Sequence, residues 1–184
     1  MKKFLSNPAV AMVIAVIVVI GSILINTRVK LGSQCDVLNA YFYETGTEEV
    51  SVAGSLRSFC NAVEQILILG EKYDLNDLEE TQLCVDNIRD ALRSHSYDTG
   101  TIYKNYDQLL KNTFSIESSL ARTSLSPEDK SSYDSAQHNA AEAKAAIDSS
   151  SYNDSARRFL KKNTRFPTPQ LAAVTGVQMP ELFA

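Results

Sequence analysis

The 184-residue chain has no tryptophan, only two histidines and three cysteines, and few breakers: five prolines and seven glycines. Scarce Gly and Pro, combined with long polar–apolar periodicity, favour helices over a sandwich or barrel. Cys35, Cys60 and Cys84 contain no C-x-x-C pair, which argues against a zinc site, because zinc ribbons need paired ligands at short spacing. They read as small apolar residues on buried helix faces. One bridged pair is the alternative if the domain lies outside the cytoplasm. Leu92 and Ser135 stand three residues before His95 and His138, so the Glu-x-x-His pairs of a di-iron bundle are missing. His138 with Glu142 is an i,i+4 pair that reads as a solvated face rather than a metal site. G-x-S-x-G, H-E-x-x-H and a Gly-rich phosphate loop are all absent. The expectation is a non-enzyme with no catalytic, cofactor-binding or metal-binding residues.

Charge is missing from one long run, Ala9 to Ile25, interrupted only by Gly21 and Ser22. Lys2 and Lys3 precede it, Arg28 and Lys30 follow it, and the first thirty residues hold no acid. Seventeen helical residues rise about 26 Å, close to the ~30 Å hydrocarbon core of a bilayer. Asn7 can cap this helix and Pro8 suits its first position. The run exceeds the roughly 7–15-residue core of a signal peptide, and no A-x-A site follows it. An uncleaved single-pass anchor in the cell membrane is expected, with the bilayer contacted by residues 9–25. The slight excess of positive charge at the N-terminal flank places that end in the cytoplasm and the rest outside. Beyond residue 30 stand 14 basic residues against 22 acids, a net of −8. That balance excludes nucleic acid as a natural partner, since phosphate contacts need clustered Lys and Arg.

The first helix is expected to continue past the membrane with a stripe of Val29, Leu31, Cys35, Leu38 and Phe42, ending near Gly46. Thr47 then caps a second helix, about 48–72, with Glu48 and Glu49 in its first turn. Val52, Leu56, Phe59, Val63 and Ile66 give it one buried stripe. Tyr73-Asp74-Leu75-Asn76 is a turn, and Asp77 with Glu80 opens a third helix, about 78–95, lined by Leu78, Thr81, Val85, Ile88 and Leu92. Ile102, Tyr106, Leu109, Thr113, Ile116 and Leu120 line a fourth, about 100–121. Ser126 caps and Pro127 starts the last, about 127–164. Its small-residue stripe, Tyr133, Ala136, Ala140, Ala143 and Ile147, resumes past Ser149-Ser150-Ser151 as Tyr152, Ala156, Phe159 and Asn163. Short connections make the neighbours antiparallel. The fold expected is all-α: one N-terminal transmembrane helix, then an antiparallel four-helix-type bundle. A continuous coiled-coil rod is disfavoured by the turns at 73–77, 96–100 and 122–127. The division expected is 1–30 anchor, 31–165 helical bundle, and 166–184 a Pro-containing apolar segment packed on the bundle.

After Arg165, Phe166-Pro167-Thr168-Pro169 breaks the helix. An apolar strip from Leu171 to Val177 follows, then Met179, Pro180, Leu182 and Phe183, suited to folding back on the bundle or onto a partner. Tyr152-Asn153-Asp154, Arg165-Phe166-Pro167, Leu171-Ala172-Ala173 with Gly176, and Pro180-Glu181-Leu182-Phe183 together resemble the C-terminal part of LemA family proteins. The resemblance covers the residues from Tyr133 onward and the anchor. Val177 departs from the family's usual Phe, and Leu182-Phe183-Ala184 from its Tyr-Phe-Glu. The resemblance implies a membrane-anchored, extracytoplasmic four-helix domain with an envelope scaffold or partner-binding role. It implies no reaction, since that family offers no catalytic residues to carry over.

Two charge clusters remain. Glu71 to Asp90 is acidic, and Arg157, Arg158, Lys161, Lys162 and Arg165 form an acid-free basic run. With Phe166 and Pro167, these five are the candidate partner-binding residues, for another envelope protein or an anionic phospholipid headgroup. The function expected is a non-catalytic, membrane-anchored scaffold or interaction module. The alternative is a sensor-type bundle that binds a small ligand and signals through a membrane partner.

Overall fold

A computed structural model describes residues 8–44, 51–76, 78–95 and 98–183. Among these it forms seven α-helices and no strand: α1 (Pro8–Tyr43), α2 (Val52–Lys72), α3 (Leu78–Arg93), α4 (Thr99–Leu120), α5 (Pro127–Asp148), α6 (Ser151–Asn163) and α7 (Thr168–Thr175). The caps and first-turn acids expected at Asn7, Thr47, Glu48, Glu49 and Asp77, and the stop at Gly46, lie outside the described residues. The chain separates into two compact units, residues 1–37 with 159–179, and residues 38–158 with 180–184.

In the first unit, α1 is long and apolar enough to cross a membrane. The whole helix, 36 residues, is about 54 Å long, well beyond the ~30 Å a bilayer core requires. Every residue from Ala11 to Ile20 is exposed on all faces of the helix. Burial then becomes periodic, with Leu24 and Thr27 half-buried and Leu31 buried. Val29, expected in this stripe, is instead 66% exposed, because it lies two positions from Leu31 and so on the opposite side of the helix. Phe159, Asn163 and Ala172 are buried in the same unit. The segment after Pro167 is not merely broken chain. Pro169 sits in the first turn of α7, where a missing N–H costs nothing. The helix closes at Gly176, φ 70, with Val177 N–H donating to Ala172 O and Gly176 N–H to Ala173 O. That is a Schellman closure, and it uses the residue type best suited to left-handed backbone.

The second unit is a four-helix assembly of α2 to α5. Glu64 and Asn61 of α2 accept from Arg89 of α3, and Arg57 reaches Leu92 O, while Gly70 faces Leu78. Numbers rise on one helix as they fall on the other, so α2 and α3 are antiparallel. Asn87 with Asn105 and Glu80 with Gln108 set the same relation for α3 and α4. Phe59 meets Tyr106, and Gly70 lies near Ile116, so α2 and α4 run parallel across the bundle. α2 pairs most extensively with α5, helped by Ala136, Ala140 and Ala143, whose small side chains allow close approach.

The stripes read from periodicity on α2, α4 and α5 are all buried, and on α3 every expected position except the half-buried Leu78. Ser51 is the observed cap of α2, its hydroxyl accepting from Gly54 N–H at 3.0 Å. The expected single helix over 127–164 is two. Ser149 Oγ donates to Ala145 O, and Ser150 Oγ accepts from Asn153 N–H. The Ser150 hydroxyl thus takes a main-chain donor at the break, while Ala145 O is shared between the N–H and the hydroxyl of Ser149, the usual way Ser competes with helix continuation.

Candidate functional site

A polar cluster joins the α2–α3 turn to the start of α5. Asp129, 7% exposed, accepts from Lys72 Nζ at 2.7 and 2.8 Å, from Tyr73 Oη at 2.7 Å and from Ser126 Oγ at 2.6 Å. The Lys72 ammonium, with the Ser126 and Tyr73 hydroxyls, holds its carboxyl well down, to about 2. Ser126 N–H in turn donates to Tyr73 Oη at 3.0 Å. Every group in the cluster is engaged within it, so its role is to fix the bundle end.

A second assembly surrounds Phe183, which is fully buried. Its ring lies 5.4 Å from Phe42, 5.6 Å edge-on from Tyr103, and 6.0 Å from both Tyr106 and Tyr152. Asn153 grips the main chain of the same residue. Its Nδ2 donates to Phe183 O at 2.8 Å and to Ile147 O at 2.7 Å, and its Oδ1 accepts from Phe183 N–H at 2.8 Å. Tyr152 Oη donates to Glu181 O at 3.0 Å. The helix end thus reads the backbone of a short segment while an aromatic box takes its ring.

A third feature is an open groove between α4 and α5, about 720 Å³, with Phe59 and Ala140 in its lining and Phe114, 72% exposed, at its rim. Glu117 lines it, and burial pushes its carboxyl up, partly opposed by a hydrogen bond from Gln137.

The candidate partner-binding residues fall in both units. Arg157 and Arg158 belong to the second, and both turn back on Asp154, through its carboxylate and its carbonyl oxygen respectively, each at 3.3 Å. Lys161, Lys162, Arg165, Phe166 and Pro167 belong to the first and are all exposed, with Phe166 at 82%. Among the described residues none of these three cations forms an ion pair. His95 stacks on Tyr43, ring centroids 5.0 Å apart, and His138 lies 3.9 Å from Glu142 on an exposed face. All three cysteines are free thiols. Burial pushes Cys60 up to about 12 and raises Cys84 and Cys35, the last with help from Asp36. Such thiols are poor nucleophiles. Among the described residues no three His, Cys, Asp or Glu side chains gather as metal ligands would.

Sequence reasoning missed Asn153 and Asp129 as structural centres. The Tyr152-Asn153-Asp154 element was visible, but nothing in a lone Asn says which main chain it will hold. No protein-family model, curated protein or solved structure matches this chain.

Proposed function

We propose that this protein is a non-catalytic, membrane-anchored helical scaffold or interaction module of the cell envelope, similar to LemA family proteins, with its N-terminus cytoplasmic and its bundle outside. One observation carries the reading. A single helix, α1, carries an 18-residue apolar window, about 27 Å long, of which none is buried, then acquires one packed stripe and ends with Phe42 fully buried. A helix of this kind belongs to two solvents, lipid first and protein interior second. The polar side chains that do gather, at Asp129 and at Asn153, are committed to main-chain and helix-end contacts rather than turned toward a reacting group.

The test is topological. In a chain with Cys35, Cys60 and Cys84 replaced by Ala, the exposed Ser135 of α5 is changed to Cys and intact cells are treated with a membrane-impermeant maleimide. Labelling before lysis is expected; labelling only after lysis would place the bundle in the cytoplasm and remove the envelope role.

The α4–α5 groove favours a second reading, a bundle that senses a small ligand. Its apolar lining around a partly desolvated Glu117 suits an amphipathic cation. A saturable thermal shift with such a compound, lost on Glu117→Gln, would support it.

A further inference from the structure

Net charge divides sharply between the two units. Residues 1–37 and 159–179 hold seven basic residues and one acid, Asp36, a net of +6, whereas the remainder holds eleven basic residues and 21 acids, a net of −10. The basic unit is the one that contains the apolar half of α1. Its cations are not used internally: Arg28, Lys30, Lys161, Lys162 and Arg165 are exposed, and among the described residues none is ion-paired. Beside them stand two large apolar side chains that folding leaves in water, Phe166 at 82% and Val174 at 71% exposure. Between these two, residues 167–173 carry no charge at all.

Height along α1 completes the geometry. Cys35 Sγ donates to Gln178 O at 3.5 Å, which fixes the chain just after α7 to a point ten residues past Ile25. Ten residues rise about 15 Å, and the headgroup layer extends roughly 5–8 Å beyond the hydrocarbon core. The eight residues of α7 span about 12 Å, a length of the same order as that height. An uncharged short helix flanked by an aromatic ring and by Lys and Arg has the composition of an interfacial segment: rings settle at the headgroup–acyl boundary, and cations meet anionic headgroups.

We propose that residues 161–174 form a membrane-docking surface for an anionic phospholipid bilayer. Phe166 enters the headgroup–acyl boundary, while Lys161, Lys162 and Arg165 hold headgroup phosphates beside the point where α1 leaves the lipid. The proposal rests on the reading that α1 spans the bilayer. It adds a second point of contact, so that the first unit lies against the surface and does not swing on a single helix.

The chain lacks Trp, so single substitutions give unambiguous fluorophores in the full-length protein. Phe166→Trp replaces an exposed ring and leaves packing untouched. Ile17→Trp reports the span, and Phe114→Trp reports solvent on the bundle. Each is reconstituted in vesicles of equal parts phosphatidylglycerol and phosphatidylcholine, with lipids brominated near the glycerol end of the acyl chain. Phe166→Trp should be blue-shifted and quenched well beyond Phe114→Trp. That quenching should fall about twofold or more in pure phosphatidylcholine, or when Lys161, Lys162 and Arg165 are changed to Gln. Phe166→Trp emission as unquenched as Phe114→Trp, with Ile17→Trp quenched, overturns the docking surface, leaves the anchor standing and hands the patch to a protein partner. Equal quenching in both lipids overturns the headgroup role of the three cations. If Ile17→Trp is itself unquenched, the anchor reading fails and the docking surface fails with it.

Discussion

Asn153 uses three of its four hydrogen-bonding positions on main chain: two N–H groups to Ile147 and Phe183 carbonyls and one oxygen lone pair to the Phe183 N–H. All three partners are buried, so removing the side chain leaves them without water or protein. Asn153→Leu should therefore cost about 2–4 kcal/mol, read as a fall in the urea midpoint with an unchanged slope. Asp129 makes a pH prediction. Its folded-state pKa of about 2 lies below the ordinary aspartate value near 4. The stability it contributes is full above pH ~4 and is lost as pH falls toward ~2, because the unfolded chain takes up the proton first. Asp129→Asn should thus be less stable than the native chain at pH 7, and the gap between their urea midpoints should close between pH ~4 and ~2. A gap independent of pH would contradict the ion-paired cluster. Neither residue was legible as a centre beforehand. Ser126 with Pro127 reads as an ordinary helix start, which it is. That the last lysine of α2 and the tyrosine after it converge there is a matter of tertiary approach, which no local pattern encodes.

Among the elements, those with regular apolar spacing were readable and those governed by a side chain were not. The stripe on α4, Ile102 to Leu120, is buried at every expected position, because amphipathic spacing dictates which face is covered. On α2 the stripe was found but not its extent: Ala53, Cys60, Ala62, Leu67 and Leu69 are buried as well, since this helix is packed by α3, α4 and α5 together. The α5–α6 break did leave a trace. The step from Ile147 to Tyr152 is five residues, where a continuous helix needs three or four. Ser150 then caps α6 through Asn153 N–H, so Ser150→Ala should cost about 1 kcal/mol in thermal or urea unfolding. A neutral result would mean that packing of the Tyr152 ring alone sets the break.

For the molecule as a whole, composition indicates the class, an all-α chain with one apolar span, because hydropathy and the scarcity of breakers act over long windows. It could not assign Lys161, Lys162 and Arg165 to the unit that holds α1, since membership of a unit is decided by packing between segments more than a hundred residues apart. The charge separation of +6 against −10 follows only from that assignment. The central claim is that α1 is an uncleaved membrane anchor. Alkaline carbonate extraction of membranes from cells making the full chain, with intact mass read in each fraction, tests it most directly. The account predicts the uncleaved chain in the pellet and its release by the double change Ile17→Lys, Val18→Lys, which places two charges at mid-bilayer. A native chain found in the supernatant, or shortened after the apolar run, would contradict it.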